Sequence, residues 1–115
     1  MITVDDVRAL ALSLPRVTEA HVHGRVKFRV GKIVWLAFSR DETVLGFAFP
    51  KEWREALVAS EPAKFQLPAE SDLRFNWAEV RLEAIEWEEL RELVLDAWAQ
   101  VVPKYVSAPF VEQEP

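Results

Sequence analysis

The chain has 115 residues, half of them hydrophobic, which suits one domain of ordinary size with a core of its own. It contains no cysteine, so disulfide staples, thiolate metal centres and cysteine nucleophiles are excluded. The net charge of −5 disfavours a polyanion partner unless the cations are gathered in one place.

They are gathered. Residues 1–50 hold seven Lys/Arg against five Asp/Glu, residues 51–115 hold seven against fourteen, and His21 to Arg40 carries five cations and no carboxylate. The opening MITVDDVRAL puts two aspartates where a secretory leader carries positive charge, and no apolar run approaches the ~20 residues of a membrane span. A soluble cytoplasmic protein, with no membrane association, is expected.

Taken in chain order, Thr3 followed by Asp6 has the form of a variant capping box, and Val4, Val7, Leu10, Ala11 and Leu14 mark the apolar stripe of a helix that Pro15 stops. Val17–Val22 alternates in part and reads as an edge strand. From Gly24 to Ser39 the pattern is that of a hairpin. Val26, Phe28 and Val30 alternate with Arg25, Lys27 and Arg29, Gly31-Lys32 supplies the turn, and the continuously apolar Ile33–Phe38 reads as a central strand covered more fully than its neighbour.

Arg40-Asp41-Glu42 is a polar turn before a strand over Thr43–Phe49. Pro50 suits the first position of a short helix over Lys51–Ala59, with Trp53, Ala56 and Leu57 on one side. The stretch from Ser60 to Asp72, with prolines at 62 and 68, is the longest irregular segment. Leu73–Ala84 reads as a last strand or pair of strands, with a bend near Asn76 where the alternation of Phe75, Trp77, Val80 and Leu82 slips. Leu90, Leu93, Val94, Ala97, Trp98 and Val101 lie at helical spacing, with Glu86, Glu88 and Glu89 at the dipole-favoured end and Pro103 as the stop. The expected fold is α+β: an antiparallel meander of four to six strands with the N-terminal and C-terminal helices packed on one face, one domain over 1–106 and a loosely ordered tail over 107–115.

The helix ending Ala11-Leu12-Ser13-Leu14-Pro15 with Val17 and Glu19 after it, the Phe28-Arg29-Val30-Gly31-Lys32 turn, Trp77-Ala78-Glu79-Val80-Arg81-Leu82, and Ala97-Trp98 running to Pro103-Lys104 together resemble the MmcQ/YjbR family, in the same order and over nearly the whole chain. The resemblance implies an antiparallel α+β fold similar in outline to secretion chaperones and to frataxin-like (CyaY-like) proteins, and a bacterial DNA-binding role of the kind termed double wing.

For function, Arg25, Lys27, Arg29, Lys32 and Arg40 form the candidate nucleic-acid surface, since Lys and Arg set against phosphates supply most of the salt-dependent affinity. The opposing reading is a solvated sheet face whose cations pair with the acidic C-terminal half. His21-x-His23 with Glu19 would share one side of a strand, but two histidines on a surface do not make a metal site, and none is expected. The five tryptophans read mainly as core, with Trp53 and Trp87 partly exposed; Phe75 and Trp77, beside the irregular 61–72 segment, are the candidate lining of a groove. No phosphate loop, nucleophile elbow or cysteine is present, so no catalysis and no cofactor are expected. The leading expectation is a monomer that binds DNA weakly and without sequence preference through the basic hairpin. The alternative is a protein- or small-ligand module using its acidic helix or an aromatic groove.

Overall fold

In the computed structural model, which describes residues 1–111, the first helix (α1, Val4–Leu12) starts as its cap directs. The Thr3 hydroxyl accepts the Asp6 N–H at 3.2 Å and the Asp6 carboxylate accepts the Thr3 N–H at 2.9 Å. The helix stops at Ser13, ahead of Pro15, and Leu14 beyond it still reaches the core.

Three strands follow with the tightest connections available: β1 (Val17–Val22), β2 (Arg25–Val30) and β3 (Ile33–Phe38). Val22 pairs with Arg25 across His23-Gly24, whose φ values of 53° and 76° are both left-handed, the type I′ condition that matches strand twist. Between β2 and β3 only Gly31 is left-handed, at φ 60°, where a residue with a Cβ would be strained. A bulge that the pattern does not announce lies here, while the bend expected near Asn76 is present at residues 75–76. Phe28 pairs with Leu36 but Arg29 with Val34, so Trp35 is the extra residue of a bulge, and it is fully buried.

β4 (Val44–Ala48) completes the meander, and helix α2 (Lys51–Ser60) leads to β5 (Phe65–Gln66), a two-residue strand within the stretch expected to be irregular. A helical turn at Glu70–Asp72 precedes β6 (Trp77–Arg81), which is shorter than expected because Leu82–Ala84 turns helically; then come α3 (Trp87–Ala99) and α4 (Lys104–Val111). β6 inserts between β4 and β5, giving one antiparallel sheet in the order β1-β2-β3-β4-β6-β5.

The register sorts the two faces. One cross-strand row reads Glu19, Phe28, Leu36, Phe47, Ala78, and its apolar members join Val7 and Ala11 of α1 and Leu90, Val94 and Trp98 of α3 in the core. Burial of each large side chain there contributes about 1.5–3 kcal/mol. The indole of Trp98 donates to the Pro15 carbonyl at 3.0 Å, fastening α3 to the end of α1, and both terminal helices thus cover the same face.

Two helices depart from expectation. In α2 the inward residue is Arg54, and Pro50 caps the helix from outside rather than occupying its first turn; Trp53, expected to be partly exposed, is 64% exposed. Residues 107–111, expected in a loose tail, belong to α4: Ser107 is buried and Phe110 meets Trp98 edge-on at 5.1 Å, packing that outweighs local composition. The rest of that expected tail, 112–115, lies outside the described residues.

Candidate binding groove on the open sheet face

The opposite face of the sheet carries the charges. A second cross-strand row reads Ala20, Lys27, Ala37, Gly46, Glu79, Gln66, with Arg25 and Arg29 flanking Lys27 on β2 and Trp77 flanking Glu79 on β6. At the centre of that row the side chains shrink to a methyl and a hydrogen. Long groups on β2 and β6 therefore flank a trough with Ala37 on its floor, and the Trp77 indole folds over Gly46.

The trough is a groove of about 540 Å³. Arg25, Lys27 and Val34 line one wall; Asp72, Phe75, Asn76 and Trp77 line the other; Gln100 and Val101, just past α3, close one end. Two groups of residues picked separately from the sequence, the pair Arg25 and Lys27 and the pair Phe75 and Trp77, thus meet in one cavity. Arg29 lies on the same strand face outside it, with its buried Nε lacking a hydrogen-bond partner. Lys32 and Arg40 do not join the groove. They sit beyond opposite ends of β3, whose six residues span about 20 Å.

Electrostatically the cations are open. Among the described residues none of Arg25, Lys27, Arg29, Lys32 and Arg40 enters an ion pair; Arg25 Nε donates instead to the Phe38 carbonyl at 2.9 Å. The pairing carboxylates are engaged elsewhere, Glu61 and Glu89 with Lys64, and Asp5 and Glu19 with Arg8. Glu79 accepts from Gln66 Nε2 at 2.7 Å, which leaves Asp72 as the carboxylate lining the groove, on the wall away from the cations.

The aromatic wall is held by contacts that the hydrophobic pattern does not announce. Arg54 Nη1 donates to the carbonyls of Phe75 at 3.0 Å and Trp77 at 2.9 Å, and its Nη2 to that of Leu73 at 2.7 Å. Its neighbour Lys51 anchors the same segment, its N–H bonding Asn76 Oδ1 and its ammonium the Arg74 carbonyl, both at 3.1 Å. A cation at an inward helix position was the available signal for Arg54, although charge at such a position more often marks a solvated face. Phe75 is half exposed and carries the Arg74 guanidinium 4.7 Å from its ring centre.

The histidines separate. His21 Nε2 lies 2.7 Å from Glu19 Oε2, whose carboxylate also takes Arg8 Nε at 2.9 Å and Nη2 at 3.0 Å, while His23 occupies the turn. The Arg8 hydrogen bonds, aided by His21, hold the Glu19 carboxyl below its usual range. A smaller cavity of about 200 Å³ lies on the helix side, with Phe47, Phe49, Leu57 and Phe65 on its walls and Glu89, Glu92 and Asp96 also lining it. Desolvation, with Glu92 adding repulsion, pushes the Asp96 carboxyl up. Among the described residues no helix is long and apolar enough to cross a membrane.

Comparison with known proteins agrees with this architecture. A family model described as YjbR matches residues 12–100. The crystal structure of Deinococcus radiodurans protein DR2400, which carries a domain designated DUF419, is similar with a TM-score of 0.76 at 22% identity, covering 95% of this chain and 88% of that one, a likeness of fold. None of the curated proteins matches the chain.

Proposed function

The chain belongs to the YjbR family, and from that premise we propose that it is a non-catalytic protein that binds nucleic acid on the open face of its sheet. What supports the reading is one observation: Arg25 and Lys27, free of carboxylate partners among the described residues, line the same groove as Phe75 and Trp77. Cations alone describe a solvated face, and aromatics alone describe incomplete packing. Together in one cavity they match a ligand that is anionic at one end and planar at the other. Contact then centres on the strand face, not on the hairpin tips that a double-wing arrangement would use.

Phosphate contacts of this kind carry little sequence information and release counterions, so binding weakens steeply with salt. The test is anisotropy of labelled DNA at low and moderate salt, with wild type and an Arg25→Glu/Lys27→Glu variant. Binding by wild type that falls with salt and is lost in the variant is expected. Equal, negligible binding by both removes the proposal.

A second reading is favoured by the cavity on the helix side, where Glu92 and Asp96 adjoin an aromatic wall. Such a site would take a cationic, apolar side chain from a protein partner. Its binding would ignore the Arg25/Lys27 reversal and would fall with Asp96→Asn.

A further inference from the structure

Resting on the nucleic-acid reading, we propose that the groove takes single-stranded rather than duplex nucleic acid, with one base seated against Trp77 and Phe75 and its phosphate on Arg25 and Lys27.

The groove is electrically polar across its width. Both of its cations rise from β2, while its carboxylate, Asp72, stands on the aromatic wall. A phosphate is drawn to the first wall; on the second, Asp72 lines the groove and the Arg74 guanidinium is engaged against the Phe75 ring. The uncharged planar part of the ligand is left to the rings, and that division matches a nucleotide with its base turned away from its own backbone.

The depth of the aromatic wall argues for a base face and against a base-pair edge. Trp77 does not project from a loop tip: its indole packs down onto Gly46, with Nε1 and Cζ2 each 2.6 Å from where a Cβ at that position would stand. Two strands, β3 and β4, separate the cations from the rings, about 14 Å at the usual inter-strand spacing. Side chains reach into that gap from both walls. In a duplex the base faces are stacked on one another and only their edges line the grooves, so a ring lying in the sheet surface has nothing planar to meet. In a single strand every base has a free face, and stacking is tolerant of sequence.

Asn76 Oδ1 accepts from Lys51, and Gln100 Nε2 donates to the Ala48 carbonyl at 3.0 Å. Stacking accepts any base, so the main discrimination expected is between strand states.

Three labelled probes of one length test this: a mixed single strand, the same strand with abasic residues in place of nucleotides, and the duplex. They are titrated at low salt against wild type, Trp77→Phe and Trp77→Leu. The intact single strand should bind wild type roughly fivefold or more tighter than the abasic strand, the effect of at least one stacked base, and tighter than the duplex. Trp77→Phe should keep that preference and Trp77→Leu should lose it. An abasic strand or a duplex that binds wild type as tightly as the intact strand overturns the inference, and so does a preference that survives Trp77→Leu. Binding to none of the three probes removes the nucleic-acid reading beneath it. The comparison of probes on wild type needs no substituted protein to fold.

Discussion

The indole of Trp77 rests against the bare Cα of Gly46 on the neighbouring strand, so close that a methyl group added there would meet three ring atoms at 2.6–2.7 Å. The smallest side chain in the sheet thereby determines how low the aromatic wall of the groove can lie. Gly46 sits within a strand and has an ordinary backbone conformation, so packing rather than chain flexibility explains its presence.

Gly46→Ala is accordingly expected to destabilise the fold by about 1–3 kcal/mol, the usual cost of overpacking, although alanine suits a strand interior better than glycine. Urea unfolding checks this. An increase in stability would mean that the Trp77 ring yields freely and is not fixed by the floor beneath it.

Arg54 is the second determinant of that wall. Its guanidinium, 7% exposed, donates to three successive alternate carbonyls, those of Leu73, Phe75 and Trp77. Arg54→Ala leaves these carbonyls short of a donor and should cost about 3 kcal/mol. Arg54→Lys keeps the charge without the planar fork and should fall between. Thermal melts of the pair that are indistinguishable from wild type would remove the role assigned to Arg54.

Two carboxyls give the protein opposite responses to acid. Glu19 is held below the usual value of 4.5, chiefly by its hydrogen bonds to Arg8. Its contribution is therefore complete above that pH and is lost as pH falls through the lower folded value. Asp96 is held above 3.8 by desolvation and by Glu92, so ionisation opposes folding and its cost is present once pH rises above the folded value. Glu19→Gln should flatten the acid limb of the stability profile, and Asp96→Asn should raise stability at neutral pH and lose that advantage in strong acid. Melting temperatures across the acid range check both, and an Asp96→Asn effect that is the same at neutral and acid pH would contradict the sign.

Charge placement separates a groove from a pair of wing tips. Lys27→Glu should lower affinity for single strands and reduce the salt slope by about one phosphate contact. Lys32→Glu and Arg40→Glu, beyond opposite ends of β3, should change binding far less. The reverse order, measured by anisotropy against salt, would return the contact to the hairpin turns.

The fold was legible because periodicity reports burial. The Thr3 cap, the alternation of Val26 and Phe28 with Arg25 and Lys27, and the apolar run of β3 each state which face meets the core, and the cross-strand pairing agrees. The residues of the site were legible one at a time but not as a set, since Arg25 and Trp77 are brought together by β6 inserting beside β4, a pairing of residues 29 to 37 positions apart. What stayed hidden is what hydropathy ranks wrongly. Arg54 is buried because backbone carbonyls satisfy it, and α4 folds because Phe110 finds Trp98.

The central claim is that the open face between β2 and β6 is where this protein holds its ligand. The most direct measurement is a nitrogen-15 NMR titration with a short single-stranded oligonucleotide at low salt. The groove reading predicts shifts concentrated on the amides of Arg25–Phe28, Ala37 and Gly46–Ala48 and on the backbone and indole N–H of Trp77, with α1 and α4 unmoved. Shifts confined to Gly31-Lys32 or to the helices, or none at all, would contradict it.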